Sequence, residues 1–176
     1  PTVVSLSFGP TWLLASKNQS PSSGLFETVV DGLIPEIEKN LGGLKGRRIV
    51  FGESMGGFNS VQLSQRTNLF DKAAVICSPM SEYSPYAPEA DIKKYVEKTR
   101  AWDHFKNSKP NLVLETILQT LKLVKAFFPA SSDYVDADPI ALSKNSQSVT
   151  EMYVTVGLYD EFAAYEGNYA FSENLK

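Results

Sequence analysis

The chain has 176 residues, of which 43% are hydrophobic, 21% charged and 11% aromatic, and its formal net charge is -3. That is enough apolar chain for one domain with a core, which excludes intrinsic disorder, and 17 Lys and Arg against 20 Asp and Glu leave no basic surplus for a nucleic-acid partner. One cysteine, Cys77, and one histidine, His104, exclude an intrachain disulfide and the usual zinc constellations, so no metal or organic cofactor is expected.

In chain order, Thr2 to Ser7 reads as a strand closed by the turn Phe8-Gly9-Pro10, and the Ser-, Asn- and Pro-rich stretch from Ser16 to Gly24 as a loop. Leu25, Phe26, Val29, Val30, Leu33, Ile34, Ile37 and Leu41 recur at helical spacing, with Pro35 interrupting or kinking the helix. Gly42, Gly43 and Gly46 mark a turn. Arg48 to Phe51 is the next strand, Met55 to about Gln65 a helix, and Lys72 to Ser78 a third strand ended by Pro79. This alternation predicts an α/β fold, a parallel sheet with crossover helices. Two helical patterns follow, one through Ile92, Tyr95, Val96, Trp102 and Phe105, the other through Leu114, Ile117, Leu118, Leu121, Val124 and Phe128. The strand rhythm resumes at Glu151 to Val156 and ends at Gly157, before an amphipathic stretch from Phe162 onward. The expected organisation is a core over 1–78, a helical insertion or cap over 79–140, and a return to the core over 141–176. No apolar run reaches the roughly 18 to 20 residues that span a bilayer, and no signal-peptide pattern precedes the first strand. A cytoplasmic protein with no membrane partner is expected. The start at Pro1 without methionine marks a processed product or a piece of something longer.

Gly52-Glu53-Ser54-Met55-Gly56-Gly57 follows a strand without a gap and opens a helix, the setting a Gly-x-Ser-x-Gly nucleophile elbow needs. The turn must lift the serine hydroxyl above the sheet edge, and Gly52 and Gly56 are expected to let strand and helix pass closely, with Gly57 beside them. The Met55 N–H at the helix start is placed to bind a tetrahedral oxyanion. A serine hydroxyl needs a base to take its proton and an acid to orient that base. Asp160, three residues past Gly157 beyond the last strand, is the expected acid, with Asp136, Asp138 and Glu161 as competitors.

These residues resemble the α/β-hydrolases, and within them the putative-esterase branch of esterase-D type. The elbow at 52 to 57, the helix ending Ile34-Pro35-Glu36-Ile37-Glu38, Asp138-Pro139 before the last strand and the turn Gly157 to Asp160 carry the resemblance. It implies an α/β-hydrolase-like sheet in which Thr2 to Ser7 follows the strand that supplies the second oxyanion donor, with the strands before it missing. It also implies a catalytic histidine later in the chain than the acid. His104 precedes Asp160 and points away from the stripe of its own helix, so it reads as a solvated surface residue, and the base is expected beyond Lys176.

Phe8, Trp12, Tyr83, Tyr86, Phe127, Phe128, Tyr134 and Phe162 fall on the elbow's side of the fold, where they are placed either to pack the cap or to line an acyl pocket. Cys77 reads as a small buried hydrophobe in its strand. The expected function is a serine carboxylic-ester hydrolase working through an acyl-enzyme on a small-molecule ester. Its rivals are an acyltransferase on the same scaffold and a binding module that has lost the base. A sheet lacking its first strands is expected to pair with those strands or another chain along the edge next to Thr2 to Ser7.

Overall fold

Three short runs rich in Val, Ile, Phe and Tyr supply the strands, and the amphipathic runs between them supply the helices. The fold comes from a computed structural model, which describes residues 2–8, 13–15, 24–43 and 46–176. The helix over Leu25–Asn40 is built as α1 (Leu25–Glu27), a π-helical stretch (Thr28–Leu33) and α2 (Ile34–Asn40). Pro35 has no N–H to offer a carbonyl one turn back, and the chain absorbs the missing bond by widening the preceding turn rather than by breaking. Strand β1 (Ile49–Glu53), helix α3 (Met55–Arg66) and strand β2 (Lys72–Ile76) follow. Between β2 and β3 lie α4 (Glu89–Val96), α5 (Arg100–Phe105), α6 (Leu112–Phe127), α7 (Ser131–Val135) and α8 (Pro139–Lys144). Strand β3 (Glu151–Thr155) and α9 (Ala164–Asn174) complete the described chain.

The chain is thus α/β. Among the described residues the sheet is three-stranded and parallel in the order β1-β2-β3, so the strands on either side of the insertion are neighbours. Because the strands advance in one direction and crossovers are right-handed, the connecting helices fall on one face. That face carries Val50 and Gly52, Ala73 and Val75, and Met152 and Val154; Val61, Met80, Ile140 and Phe171 fill the space above β2 and β3. Phe26 and Val29 pack with Leu14, Leu63 and Phe70 beside Val50, which seats α1 and the π-helical stretch on the same side as α3. Arg48 fixes this layer through a bidentate pair with Glu38, at 2.5 and 2.8 Å. Among the described residues nothing regular packs on the opposite face, where Ile49 is 60% exposed, Phe51 64% and Tyr153 66%, whereas parallel sheets are ordinarily covered on both sides.

Three sequence expectations change here. Thr2 to Ser7 forms no strand: residues 2–8 lie outside any regular element, with Val3, Val4 and Leu6 exposed, because a strand requires a paired neighbour and none lies beside this segment among the described residues. Among the described residues the edge strands of the sheet are β1 and β3. The apolar pattern from Ile92 to Phe105 is two helices, since Thr99 turns extended (φ -82°, ψ 155°) and its hydroxyl accepts the Trp102 N–H at 3.2 Å, starting α5 afresh. Finally, β2 ends at Ile76: Cys77 still donates its N–H to Thr155 O, but its φ of 46° turns the chain out of the strand, and the residue is half-buried rather than packed in a strand. Gly9, Pro10, Trp12 and most of the loop from Ser16 to Gly24 lie outside the described residues. Among those described, no helix is long and apolar enough to cross a membrane.

Candidate active site

The carboxyl edge of the sheet gathers the residues singled out from the sequence. Glu53, Ile76 and Thr155 stand in register at the ends of the three strands. The ladder runs one residue further, with the Ser54 N–H donating to Ile76 O at 2.9 Å and the Cys77 N–H to Thr155 O at 2.8 Å. Ser54 then turns sharply into α3 with φ 52° and ψ -118°, a region that a non-glycine residue enters at a cost of about 1–3 kcal/mol. Its side chain is exposed and makes no capping hydrogen bond, although serine is among the best N-caps. The elbow therefore holds a strained serine whose hydroxyl is presented outward.

The glycines divide the work differently from the sequence expectation. A Cβ on Gly52 would overlap the backbone C and O of Gly56 and sit 2.8 Å from its Cα. A Cβ on Gly57 would lie 3.0 Å from Ser78 Cβ and 3.2 Å from both Gly52 O and Ile76 O. A Cβ on Gly56 meets nothing within 4 Å, because the close approach is made by its backbone and not by the missing side chain. Gly52 is the position that must stay bare, and Gly57 is the next most confined.

Helix α3 makes its first internal bond from Phe58 N–H to Ser54 O at 3.1 Å, so the amides of Met55, Gly56 and Gly57 have no partner within the helix. The Met55 N–H is the one adjoining Ser54, as an oxyanion donor requires. The Met55 side chain packs against a cap-side cluster containing Phe127, Phe128 and Tyr134, which brings the insertion down onto the elbow.

Asp160 lies beyond β3 on this same edge, half-buried in the turn from Gly157 to Ala163. Its Oδ1 accepts the Phe162 N–H at 3.0 Å, and the carboxylate also accepts the Ala164 N–H at the start of α9. Burial pushes its pKa above the ordinary aspartate value, the two N–H bonds oppose that shift, and the nearby Glu161 adds to it. A carboxylate has acceptor capacity beyond two bonds, so capping α9 leaves room for an imidazole N–H. Two of the competing acids lie elsewhere. Asp138 caps α8 through Ile140 N–H at 3.0 Å. Asp136 lines a groove with Arg66 at the far end of α3, about 18 Å along the helix from Ser54.

His104 is exposed on α5 but not isolated. Its ring stacks on Tyr159, with centroids 4.5 Å apart and planes at 14°, and meets Phe105 edge-on at 4.7 Å. The chain's one histidine therefore rests on the residue next to Asp160, although no hydrogen bond joins it to Asp160 or Ser54 among the described residues. No local pattern signals this stack, which pairs positions 55 apart. The capping role of Asp160 had a visible signal, an aspartate shortly before an amphipathic run. Among the described residues, no group of three or more His, Cys, Asp or Glu side chains is placed to hold a metal ion.

Compared with known proteins, the chain matches no family model, no curated protein and no solved structure.

Proposed function

We propose that this chain carries the nucleophile and the acid of a serine carboxylic-ester hydrolase of α/β-hydrolase type. The observation that supports this most is the backbone of Ser54. A non-glycine residue in that strained conformation, exposed, at a strand-to-helix turn kept open by Gly52 and Gly57, serves no packing purpose and suits a nucleophile. In this reading Ser54 Oγ adds to the ester carbonyl carbon and the bond to the alcohol breaks. The hydroxyl proton passes through a general base to the departing alcohol, and water then releases the acid by the reverse steps. The Met55 N–H binds the oxyanion, Asp160 orients the base, and the base is a histidine outside these 176 residues. An acyltransferase would use the same residues with an alcohol in place of water. A binding module that had lost the base would have no use for the strain retained at Ser54.

Among the described residues β1 is an edge strand and Ile49, Phe51 and Tyr153 are exposed, which fits a core that further strands, from the same polypeptide or another, complete. The isolated 176-residue chain is accordingly expected to be poorly soluble. The test of function is p-nitrophenyl acetate hydrolysis by the protein expressed from its complete reading frame. Hydrolysis lost in Ser54→Ala and lowered about 10⁴-fold in Asp160→Asn supports the proposal. Hydrolysis indifferent to Ser54 overturns it.

A further inference from the structure

Helix α9 follows the acid-bearing turn directly, so whatever seats the helix also seats Asp160. The Asp160 carboxylate accepts the Ala164 N–H, and the Asp160 carbonyl accepts the Ala163 N–H at 2.9 Å. Ala163, between turn and helix, is buried in the left-handed region with φ 50° and ψ 36°. A non-glycine residue stays there only when its surroundings over-determine it, so the shape of the turn depends on how α9 is held.

Two adjacent residues hold α9 against the loop after β2. A Cβ on Gly167 would overlap C and O of Met80 and sit 2.8 Å from Ser81 N, so helix and loop backbones are in direct contact. Asn168, 1% exposed, spans the same junction: its Nδ2 donates to Ala164 O and to Ser78 O, each at 2.7 Å. Ala164 is the residue whose N–H Asp160 accepts. Ser78 backs onto Gly57 in the first turn of α3, two residues from Met55, and lies two residues after Ile76, whose carbonyl accepts the Ser54 N–H. One buried amide thus joins the acid-bearing turn to the elbow.

Stability alone does not account for this junction. Asn168 Oδ1 and Ser78 Oγ are buried with no partner among the described residues, and Ser78 O already accepts the Met80 N–H at 2.8 Å. A buried unpaired acceptor costs stability that an apolar side chain of similar size would not.

We propose that Asn168 is a positioning residue, which fixes Asp160 relative to Ser54 by tying α9 to the loop behind the elbow. The proposal rests on the hydrolase reading of Ser54 and Asp160.

The experiment uses the protein from its complete reading frame and p-nitrophenyl acetate. Asn168→Ala is expected to lower kcat about 10- to 100-fold with KM within about 2-fold of the parent, the loss that a slight misplacement of a catalytic group produces. Asn168→Ser, whose hydroxyl can still reach Ala164 O one turn back but not Ser78 O, is expected to behave alike and serves if the alanine variant does not fold. The rate constant for fluorophosphonate labelling of Ser54 then compares parent, each single variant and the double variant with Asp160→Asn, including proteins too slow for turnover assays. Because Asp160→Asn has already lost the oriented base, adding the Asn168 substitution should cost less than about 3-fold, whereas a merely structural defect costs the same factor in both backgrounds. An equal loss in both backgrounds, a change in KM alone, or parental kcat in the Asn168 variants overturns the positioning role and leaves the hydrolase reading standing. Absence of Ser54-dependent turnover and labelling in the parent overturns the hydrolase reading and the positioning role with it.

Discussion

Adding a single methyl at Gly52 tests how the elbow is built. In Gly52→Ala the new Cβ would overlap the backbone of Gly56 and sit 2.8 Å from its Cα, where carbon atoms prefer about 3.5–4.0 Å. Neither partner is a side chain that can swing away, so β1 and α3 must separate by roughly 1 Å at their closest contact, which loosens the seating of Phe58 and Val61 on the sheet. Overpacking of this kind costs about 1–3 kcal/mol, and the unyielding backbone puts the expected loss at the upper end, ~3 kcal/mol. Gly56→Ala meets nothing within 4 Å and trades a helical glycine for alanine, an expected gain of about 0.5–1 kcal/mol. Gly57→Ala falls between them, since shifts of a few tenths of an ångström at Ser78 accommodate it. Urea unfolding of the three variants, read by circular dichroism, measures the order. With m near 1–3 kcal/mol/M, Gly52→Ala should lower the midpoint by about 1–3 M while Gly56→Ala leaves it level or higher. Equal midpoints for the two would refute the backbone contact.

Ser54→Gly should stabilise the fold by about 1 kcal/mol, because glycine occupies φ 52° without penalty, while Ser54→Ala keeps the strain and should leave the urea midpoint unchanged. Asp160 has its pKa raised by burial, so its stabilising contribution is full below the unfolded value and is lost as pH rises through the folded one. Asp160→Asn, which can still accept the Phe162 N–H, should therefore be more stable than the parent at pH 7 and no more stable near pH 3, as denaturation at the two pH values will show. Glu38 has its pKa lowered by its hydrogen bonds to Arg48, so its contribution is present above the unfolded carboxylate value and fades as pH falls through the folded one. Glu38→Gln should cost about 1 kcal/mol at pH 7 and progressively less in acid, measured by thermal unfolding.

Local signals in the sequence carried far. The strand-helix-strand order around Ser54 locates β1, α3 and β2 within a residue or two, because each depends on periodicity and on turn residues near at hand. What depends on distant partners was not legible. Thr2 to Ser7 has strand composition, but pairing makes a strand and composition does not. The fresh start at Thr99 had a readable sign, a threonine at a polar break in the apolar stripe, which the continuing helical spacing masked. At the site, the pattern Gly-x-Ser-x-Gly points to Ser54, whereas the identity of the glycine pair that matters depends on what Ser78 and Ile76 place beside α3. The stack of His104 on Tyr159 joins the cap to the acid-bearing turn through two residues that no short-range pattern connects.

The central claim, that Ser54 is the nucleophile, is tested most directly by covalent trapping. The protein from its complete reading frame would be incubated with a fluorophosphonate and the adduct located by peptide mass mapping. The account predicts stoichiometric labelling of Ser54, abolished in Ser54→Ala and slowed in Asp160→Asn. Labelling at another residue, or no labelling of a protein that hydrolyses esters, would contradict it.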